Sequence, residues 1–141
     1  MAEAGAARQH KRTTMKVINP SDIAQPLSSY AQGVVHSAAS QRLVISGQVG
    51  VRADRTVEEG LEAQMERAWN NVFAILRAAG FEKQHLVKAT VFVTEPGKVG
   101  VFRDVRDRLL DGHVCAFTYL QVAGLASPQL LVEIEAEAVK E

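Results

Sequence analysis

The sequence holds a single cysteine, few aromatic residues and no surplus of charge of either sign. Because Cys115 is the only cysteine, an intrachain disulfide is excluded, and such cysteine usage is typical of proteins in a reducing, cytoplasmic setting. We expect it to be a small buried hydrophobe rather than a nucleophile. Sixteen basic and sixteen acidic residues give a formal net charge of zero, so no overall field draws the protein to nucleic acid or to an anionic membrane. No apolar run is long enough to span a bilayer.

The sequence also lacks the signatures of a secretory signal and of a metal site. The beginning of the chain has no apolar stretch of the kind a secretory signal needs, and its Ala-rich, then basic composition predicts a disordered tail over residues 1–15. His36, His85 and His113 lack the spacing of metal ligands, so no metal site is expected. Residues 16–141 are enough for one domain with a real core, and we expect a cytoplasmic protein.

Two helices are predicted. Residues 61–79 carry apolar side chains spaced by three and four, which indicates a helix with one buried stripe. Residues 56–59 fit a capping box at its start, and Gly80 suits the left-handed position after its end. A shorter amphipathic helix is expected over 98–110, with Arg106 outside its apolar stripe.

β-branched and aromatic residues in alternating patterns predict six strands. These strands cover residues 17–19, 32–37, 42–46, 85–94, 116–122 and 131–139. The order of elements favours an α+β fold whose helices cover only one face of a sheet. Because the chain has no spare element for the other face, we expect another copy of the protein to cover it, with sites between subunits.

The last strand has the clearest alternation. It places Glu133, Glu135 and Glu137 on one face and apolar side chains on the other, so it is either a solvated surface or the wall of a site. If the preceding strand runs alongside, Phe117 and Tyr119 would partly desolvate a carboxylate and suit it to proton transfer. A register slip of one residue would instead turn Phe117 into core packing. Of the three carboxylates, we expect Glu133 to be functional and the other two to be solvated.

Four blocks of sequence resemble, in order and spacing, those of the Rid (reactive intermediate deaminase) or YjgF-like family. They are YAQG at 30–33, VISGQ at 44–48, VKATVFV at 87–93 and LVEIEA at 131–136. The resemblance implies a chorismate-mutase-like α+β domain with a mainly antiparallel six-stranded sheet and two helices on one face. It also implies a homotrimer with sites in clefts between subunits. The best-known members hydrolyse enamines and imines to 2-oxo acids and ammonia, and need no metal and no cofactor of their own.

The resemblance also assigns site residues that this chain keeps. Glu133 matches the family's glutamate that positions or activates water. Tyr30 matches the family's tyrosine, and Ser46 and Gly47 match its backbone and hydroxyl region after the third strand. These four residues are expected to bind substrate or, for Glu133, to act on it.

Three positions depart from the family pattern. The family's arginine, which holds a substrate carboxylate as a bidentate fork, falls on Phe117 here, and neither lysine nor a neutral group reproduces such a fork. Arg103 stands where an asparagine is frequent, and Tyr119 stands where cysteine or threonine is usual. The expected anchor for a carboxylate is therefore missing from its usual strand.

Three functions follow from these departures. The first is an enzyme of altered substrate choice, in which Glu133 moves protons, Phe117 and Tyr119 form an apolar pocket, and Arg103 could hold an anion. Its reaction would be hydrolysis of an enamine or imine, or a related tautomerisation or cyclisation in a biosynthetic pathway. The second is a ligand-binding or regulatory trimer without chemistry, since loss of a charged anchor weakens carboxylate recognition. The third, nucleic-acid processing, is disfavoured by the neutral charge balance.

Overall fold

A computed structural model of the chain describes residues 15–38 and 40–141. The predicted disordered tail therefore lies, except for Met15, outside the described residues. Within them no helix is both long enough and apolar enough to cross a membrane. The elements are β1 (Lys16–Ile18), β2 (Gly33–Val35), β3 (Gln41–Val49), α1 (Leu61–Ala78), a 3-10 turn (Lys83–His85), β4 (Leu86–Val93), α2 (Val99–Leu109), β5 (Ala116–Gln121) and β6 (Val132–Lys140).

The six strands form two sheets. β1 and β2 make an antiparallel ribbon, and the other four strands lie in the order β3-β6-β4-β5. β6 is antiparallel to both of its neighbours, whereas β4 and β5 are parallel. A single bridge between Ala31 and Ala116 joins the ribbon region to the edge strand β5. The expectation of one six-stranded sheet is therefore wrong, because β2 pairs with β1 and not with β5.

Both helices pack on one face of the four-stranded sheet. α1 contacts β3, β6 and α2, and its buried stripe is the one that the spacing predicts. Trp69 and Phe73 lie in that stripe, with ring centroids 5.8 Å apart. The sheet contributes alternate side chains of β6, whose Val132, Ile134 and Ala138 are fully buried. The apolar side chains that recur every 3.6 residues in the helix thus pack against those that recur every second residue in the strand, and together they form one core.

The start of α1 differs from the prediction, while its end agrees with it. Gly60 (φ 86°) precedes the helix, and no side chain caps it, so the capping box predicted at 56–59 is wrong. Glu58 is instead held by ion pairs with Arg52 and Arg67, which fix this segment as a loop. Gly80 takes a φ of 79° after the helix, as the left-handed position requires.

The buried amide of Gln64 on α1 fixes where β6 begins. Its Nε2 donates to the carbonyl oxygens of Glu58 and Gln129, and its Oε1 accepts from the backbone N–H of Leu131 at 2.8 Å. A Cβ at Gly50 would lie 2.5 Å from the Gln64 Cβ, so only glycine permits this approach. The loop before β6 is thereby tied to the helix layer.

No element of residues 15–38 and 40–141 packs over the opposite face of the four-stranded sheet. Val44 on β3 and Leu120 on β5 are 65% and 44% exposed. Between them run Glu133, Glu135 and Glu137, since β6 points these side chains away from the helices. This face, called the open face below, carries both apolar and charged groups.

Candidate functional site

The seven residues expected to form a site lie in two separate groups. One group sits on the open face, at the bulge of β3 and the beginning of β6. The other lines a cavity between α2, β5 and the loop before β2. The first group comprises Glu133, Ser46 and Gly47, and the second comprises Tyr30, Arg103, Phe117 and Tyr119.

Glu133 lies across a β-bulge in the neighbouring strand. The pairing of β3 with β6 shifts register between Ile45 and Gln48, which puts Ser46 and Gly47 in the bulge. A Cβ at Gly47 would lie 1.9 Å from the Glu133 Oε1 atom. Glycine at this position therefore makes room for the carboxylate, and the VISGQ and LVEIEA blocks meet at this point.

The three carboxylates of β6 have different surroundings. Glu137 is paired with Arg42, whose Nη2 is 2.8 Å from Oε1, and Glu135 is exposed. Glu133 is half-buried and forms no ion pair with any residue of the described ranges. Glu135 likewise forms no ion pair in the described ranges, but Glu133 alone of the three combines partial burial with the lack of an ionic partner there, which suits it to orient water or accept a proton in a site.

The expected neighbourhood of Glu133 is corrected by the strand order. β4 lies between β5 and β6, and the residue opposite Glu133 on β4 is Phe92. Phe117 and Tyr119 are in register with Ala89 and Val91 on the helix-covered face. The prediction that these two rings desolvate Glu133 is therefore wrong, because alternation gives the faces of each strand but not which strands are neighbours.

The second group forms an aromatic cavity with a volume of about 230 Å³. The ring centroid of Phe102 lies 5.0 Å from that of Tyr119 and 5.9 Å from that of Phe117. Trp69 of the core touches the other side of Phe117, with centroids 6.0 Å apart. Burial raises the pKa of the Tyr119 phenol further above neutral pH, where its hydroxyl can act as a hydrogen-bond donor. Phe117 is thus both a packing residue and a wall of the cavity.

Arg106 is the residue of this cavity that sequence reasoning missed. It is 2% exposed and its guanidinium lies 4.9 Å from the Phe102 centroid and 5.3 Å from that of Phe117. The expectation that it lies outside the apolar stripe of α2 is wrong. The available signal was its spacing of four residues from Phe102, which places both side chains on the same side of the helix.

The remaining reactive side chains do not form a site of their own. Burial raises the pKa of the Cys115 thiol to about 12, so the nucleophilic thiolate is scarce at neutral pH. The His113 ring nitrogen Nε2 lies 2.8 Å from the Leu86 carbonyl oxygen. In the part of the chain that the structure describes, no three His, Cys, Asp or Glu side chains are grouped as metal ligands.

Comparisons with known proteins converge on one family. The family described as Endoribonuclease L-PSP matches residues 21–140. The 2-iminobutanoate/2-iminopropanoate deaminase of Rattus norvegicus is 29% identical over 127 residues, which cover 89% of this chain and 90% of that protein. The RutC family protein UK114 of Drosophila melanogaster is 32% identical over 126 residues, with 88% of each chain covered. The solved structure of the Rid family protein YyfB from Yersinia pestis has a TM-score of 0.81 and 27% identity, over 88% of this chain and 97% of that one.

Proposed function

Because the chain belongs to the endoribonuclease L-PSP, or Rid/YjgF, family, we propose that it acts on an enamine, imine or related reactive intermediate with altered substrate choice. In the hydrolytic form of the reaction, water adds to the carbon of the C=N bond and ammonia leaves, which yields a 2-oxo compound. Tautomerisation or cyclisation of a similar intermediate in a biosynthetic pathway would use the same proton transfers. The chemistry requires neither a metal nor a cofactor.

The observation that carries this function is the position of Glu133. Its carboxylate is unpaired within residues 15–38 and 40–141, lies over the bulge at Gly47 and has Phe92 opposite it. A carboxylate without an ionic partner can accept a hydrogen bond from water and orient it toward a bound substrate. Glu133 is therefore the catalytic residue of the proposal.

A homotrimer with sites between subunits is part of the proposal. Within one chain, Glu133 and the aromatic cavity are on opposite faces of the sheet and two strands apart. They can act on one small substrate only if a second copy brings its cavity to the open face. Exposed Val44 and Leu120 support such an interface, since they give the open face apolar area to bury. We place this assembly in the cytoplasm, with neither nucleic acid nor membrane as a partner.

Altered substrate choice follows from the side chain at position 117. A phenylalanine there offers a ring face where the family's arginine would offer two parallel N–H donors. The cavity favours a substrate with a bulkier, apolar part, because Phe102, Phe117 and Tyr119 present rings to it. Small 2-imino acids such as those named for the rat relative should be poorer substrates.

The proposed activity can be tested with imines generated in place. An amino-acid oxidase acting on phenylalanine and a dehydratase acting on threonine supply a bulky and a small intermediate, and the release of 2-oxo acid is timed with and without the purified protein. We expect acceleration with the bulky imine and little with the small one. If this protein accelerated hydrolysis of the small imine as much as a family member that keeps the arginine does, the altered substrate choice would be contradicted.

Glu133→Gln separates catalysis from binding. The variant keeps the shape of the side chain but cannot accept a proton as a carboxylate does, so turnover should fall at least about 100-fold, the usual scale of general acid–base catalysis. Glu135→Gln is the matched control, because Glu135 is exposed on the same strand, and its rate should equal that of the wild type. An unchanged rate in Glu133→Gln would remove this residue from the mechanism.

A second candidate is a metabolite-binding or regulatory trimer without chemistry. The observation that favours it is again Phe117, because a lost fork removes a strong attraction for carboxylate substrates. It predicts ligand binding that Glu133→Gln leaves unchanged, and no acceleration with any imine. RNA cleavage, which the description of the family names, is not proposed, since basic and acidic residues are equal in number.

A further inference from the structure

We infer that Arg106 is the anion anchor of the aromatic cavity. That the bound molecule is a substrate rests on the proposed function. Arg106 would hold the carboxylate of a substrate whose remaining part is apolar or aromatic. The cation that the family carries on β5 would thus be replaced by one on α2, presented to the same aromatic wall.

The first support is the incomplete bonding of a buried charge. The Nε of Arg106 donates to the Asp107 Oδ1 at 3.0 Å, and that carboxylate has half of its side-chain surface exposed. Nη2 is buried and has no hydrogen-bond acceptor in residues 15–38 or 40–141. A guanidinium carries five N–H donors, and a buried donor without a partner costs free energy. Part of this fork is therefore left for an acceptor supplied by a ligand.

The second support is the way in which the guanidinium is held. It lies over the Phe102 and Phe117 rings, which attract a cation without consuming its N–H donors. The planes of the two rings are inclined at 62° to each other, so contact with both limits how the guanidinium can turn, and bidentate binding of a carboxylate requires a fork held in one orientation. Phe117 occupies the position where the family has its arginine, and the same ring helps to hold Arg106.

The third support is the charge of the cavity. Arg103 and Arg106, one helical turn apart, both line it, and no acidic side chain of the described residues does. Asp107 accepts the hydrogen bond from Arg106, and about half of its side chain is exposed to solvent. The volume of about 230 Å³ admits a monocyclic aromatic acid. Because Nη2 is buried, binding requires a small displacement of the surrounding side chains.

A pair of matched probes tests the anchor without catalysis. Benzoate and benzamide have nearly the same size and shape, but only benzoate carries a negative charge. Titration calorimetry on the full chain should find benzoate bound roughly 10- to 100-fold more tightly than benzamide, the range expected for hydrogen bonds to a charged group. Equal affinities, or no binding of benzoate, would overturn the assignment.

Variants then assign the preference to one side chain. Arg106→Met should abolish the difference between the probes without loss of folding, because an apolar residue of similar length in place of a buried charge is often neutral or stabilising. Arg106→Lys keeps a charge but not the fork, and should retain only part of the preference. Arg108→Met is the control, since Arg108 lies on the same helix, is about half exposed and pairs with Glu62 and Glu66.

The outcomes keep this inference apart from the proposed function. An unchanged preference in Arg106→Met, or its loss in Arg103→Met alone, overturns the role of Arg106 whether or not the protein hydrolyses imines. A benzoate preference that depends on Arg106 supports the anchor even if no imine is hydrolysed. Raised thermal stability together with lost preference in Arg106→Met would show a residue kept for binding and not for folding.

Discussion

At the scale of single residues, the contact between Gly47 and Glu133 links two sequence blocks that are far apart in the chain. The glycine has no side chain, and the carboxylate occupies the space that a Cβ would need. Neither residue is explained by the packing of the core, since both face away from the helices. Their pairing is therefore better understood as the positioning of a carboxylate than as a means of stabilising the fold.

Gly47→Ala should reduce activity more than stability. The new methyl group would displace the end of the Glu133 side chain, which is flexible, so the free energy of unfolding should change by only about 1 kcal/mol, the cost of an unfavourable rotamer. Displacement of a catalytic carboxylate by about 1 Å is expected to cost on the order of 100-fold in rate. Coupled imine hydrolysis and denaturant unfolding measure the two effects.

The control for this substitution is Gly100→Ala on α2. Apart from its chain neighbours and the backbone of its own helix, a Cβ at Gly100 would have no heavy atom of the described residues within 4 Å, so the methyl group is accommodated without a clash. The variant should gain roughly 0.5–1 kcal/mol from the better helix propensity of alanine and keep its activity. A Gly47→Ala protein that is folded and fully active would contradict the role given to the bulge.

At the scale of elements, Gln64 connects the helix layer to the sheet. Its amide satisfies two carbonyl oxygens and one N–H of the loops that flank the site. The last of these bonds, to Leu131, fixes the residue that precedes β6, and Glu133 follows two residues later. The position of the carboxylate thus depends on a hydrogen-bonded helix residue that lies in the core and not in the site.

Gln64→Leu should destabilise the protein by roughly 2–4 kcal/mol, since it strands buried polar backbone groups. Equilibrium unfolding at a fixed protein concentration measures the change, and exchange of the Leu131 amide hydrogen should become faster. Gln84→Leu is the matched control, because Gln84 is exposed and lies outside the core. Its substitution should change the free energy of unfolding by no more than about 0.5 kcal/mol. Equal stability of the two variants would contradict the structural role of Gln64.

At the scale of the whole molecule, the open face is the surface on which the proposed trimer depends. The helices protect one side of the sheet, while the other side exposes Val44 and Leu120 beside Glu137, which is paired with Arg42, and Glu133, which has no ionic partner among the described residues. A surface of this kind, with both apolar area and specific charges, suits an interface between identical chains. The same interface would complete the site, since it is the route by which two separated residue groups can meet.

Sedimentation equilibrium should give a mass of about 46 kDa, three times that of the 15.3 kDa chain. Val44→Glu should dissociate the trimer and abolish imine hydrolysis together, because a charge would be buried at the interface. Val44→Thr, which keeps the branched shape, should remain trimeric and active. A wild-type monomer with full activity would overturn the proposal of shared sites.

The sequence by itself determined the elements and their buried faces. Spacing by three and four predicted α1 and α2, alternation predicted β6 with its carboxylates on one side, and four blocks identified the family. These features are local, because helix and strand periods are properties of consecutive residues. Glycine after α1 was predictable for the same reason, since its left-handed φ is a property of one residue.

Only the tertiary structure decided which of those faces meet. It placed β4 between β5 and β6, gave Glu133 a phenylalanine from β4 as its neighbour, and brought Arg106 under Phe117. Strand order and helix rotation depend on contacts between residues distant in the chain, which no short period records. The arginine missing from β5 was therefore visible in the sequence, whereas its proposed replacement on α2 became visible only when the chain was folded.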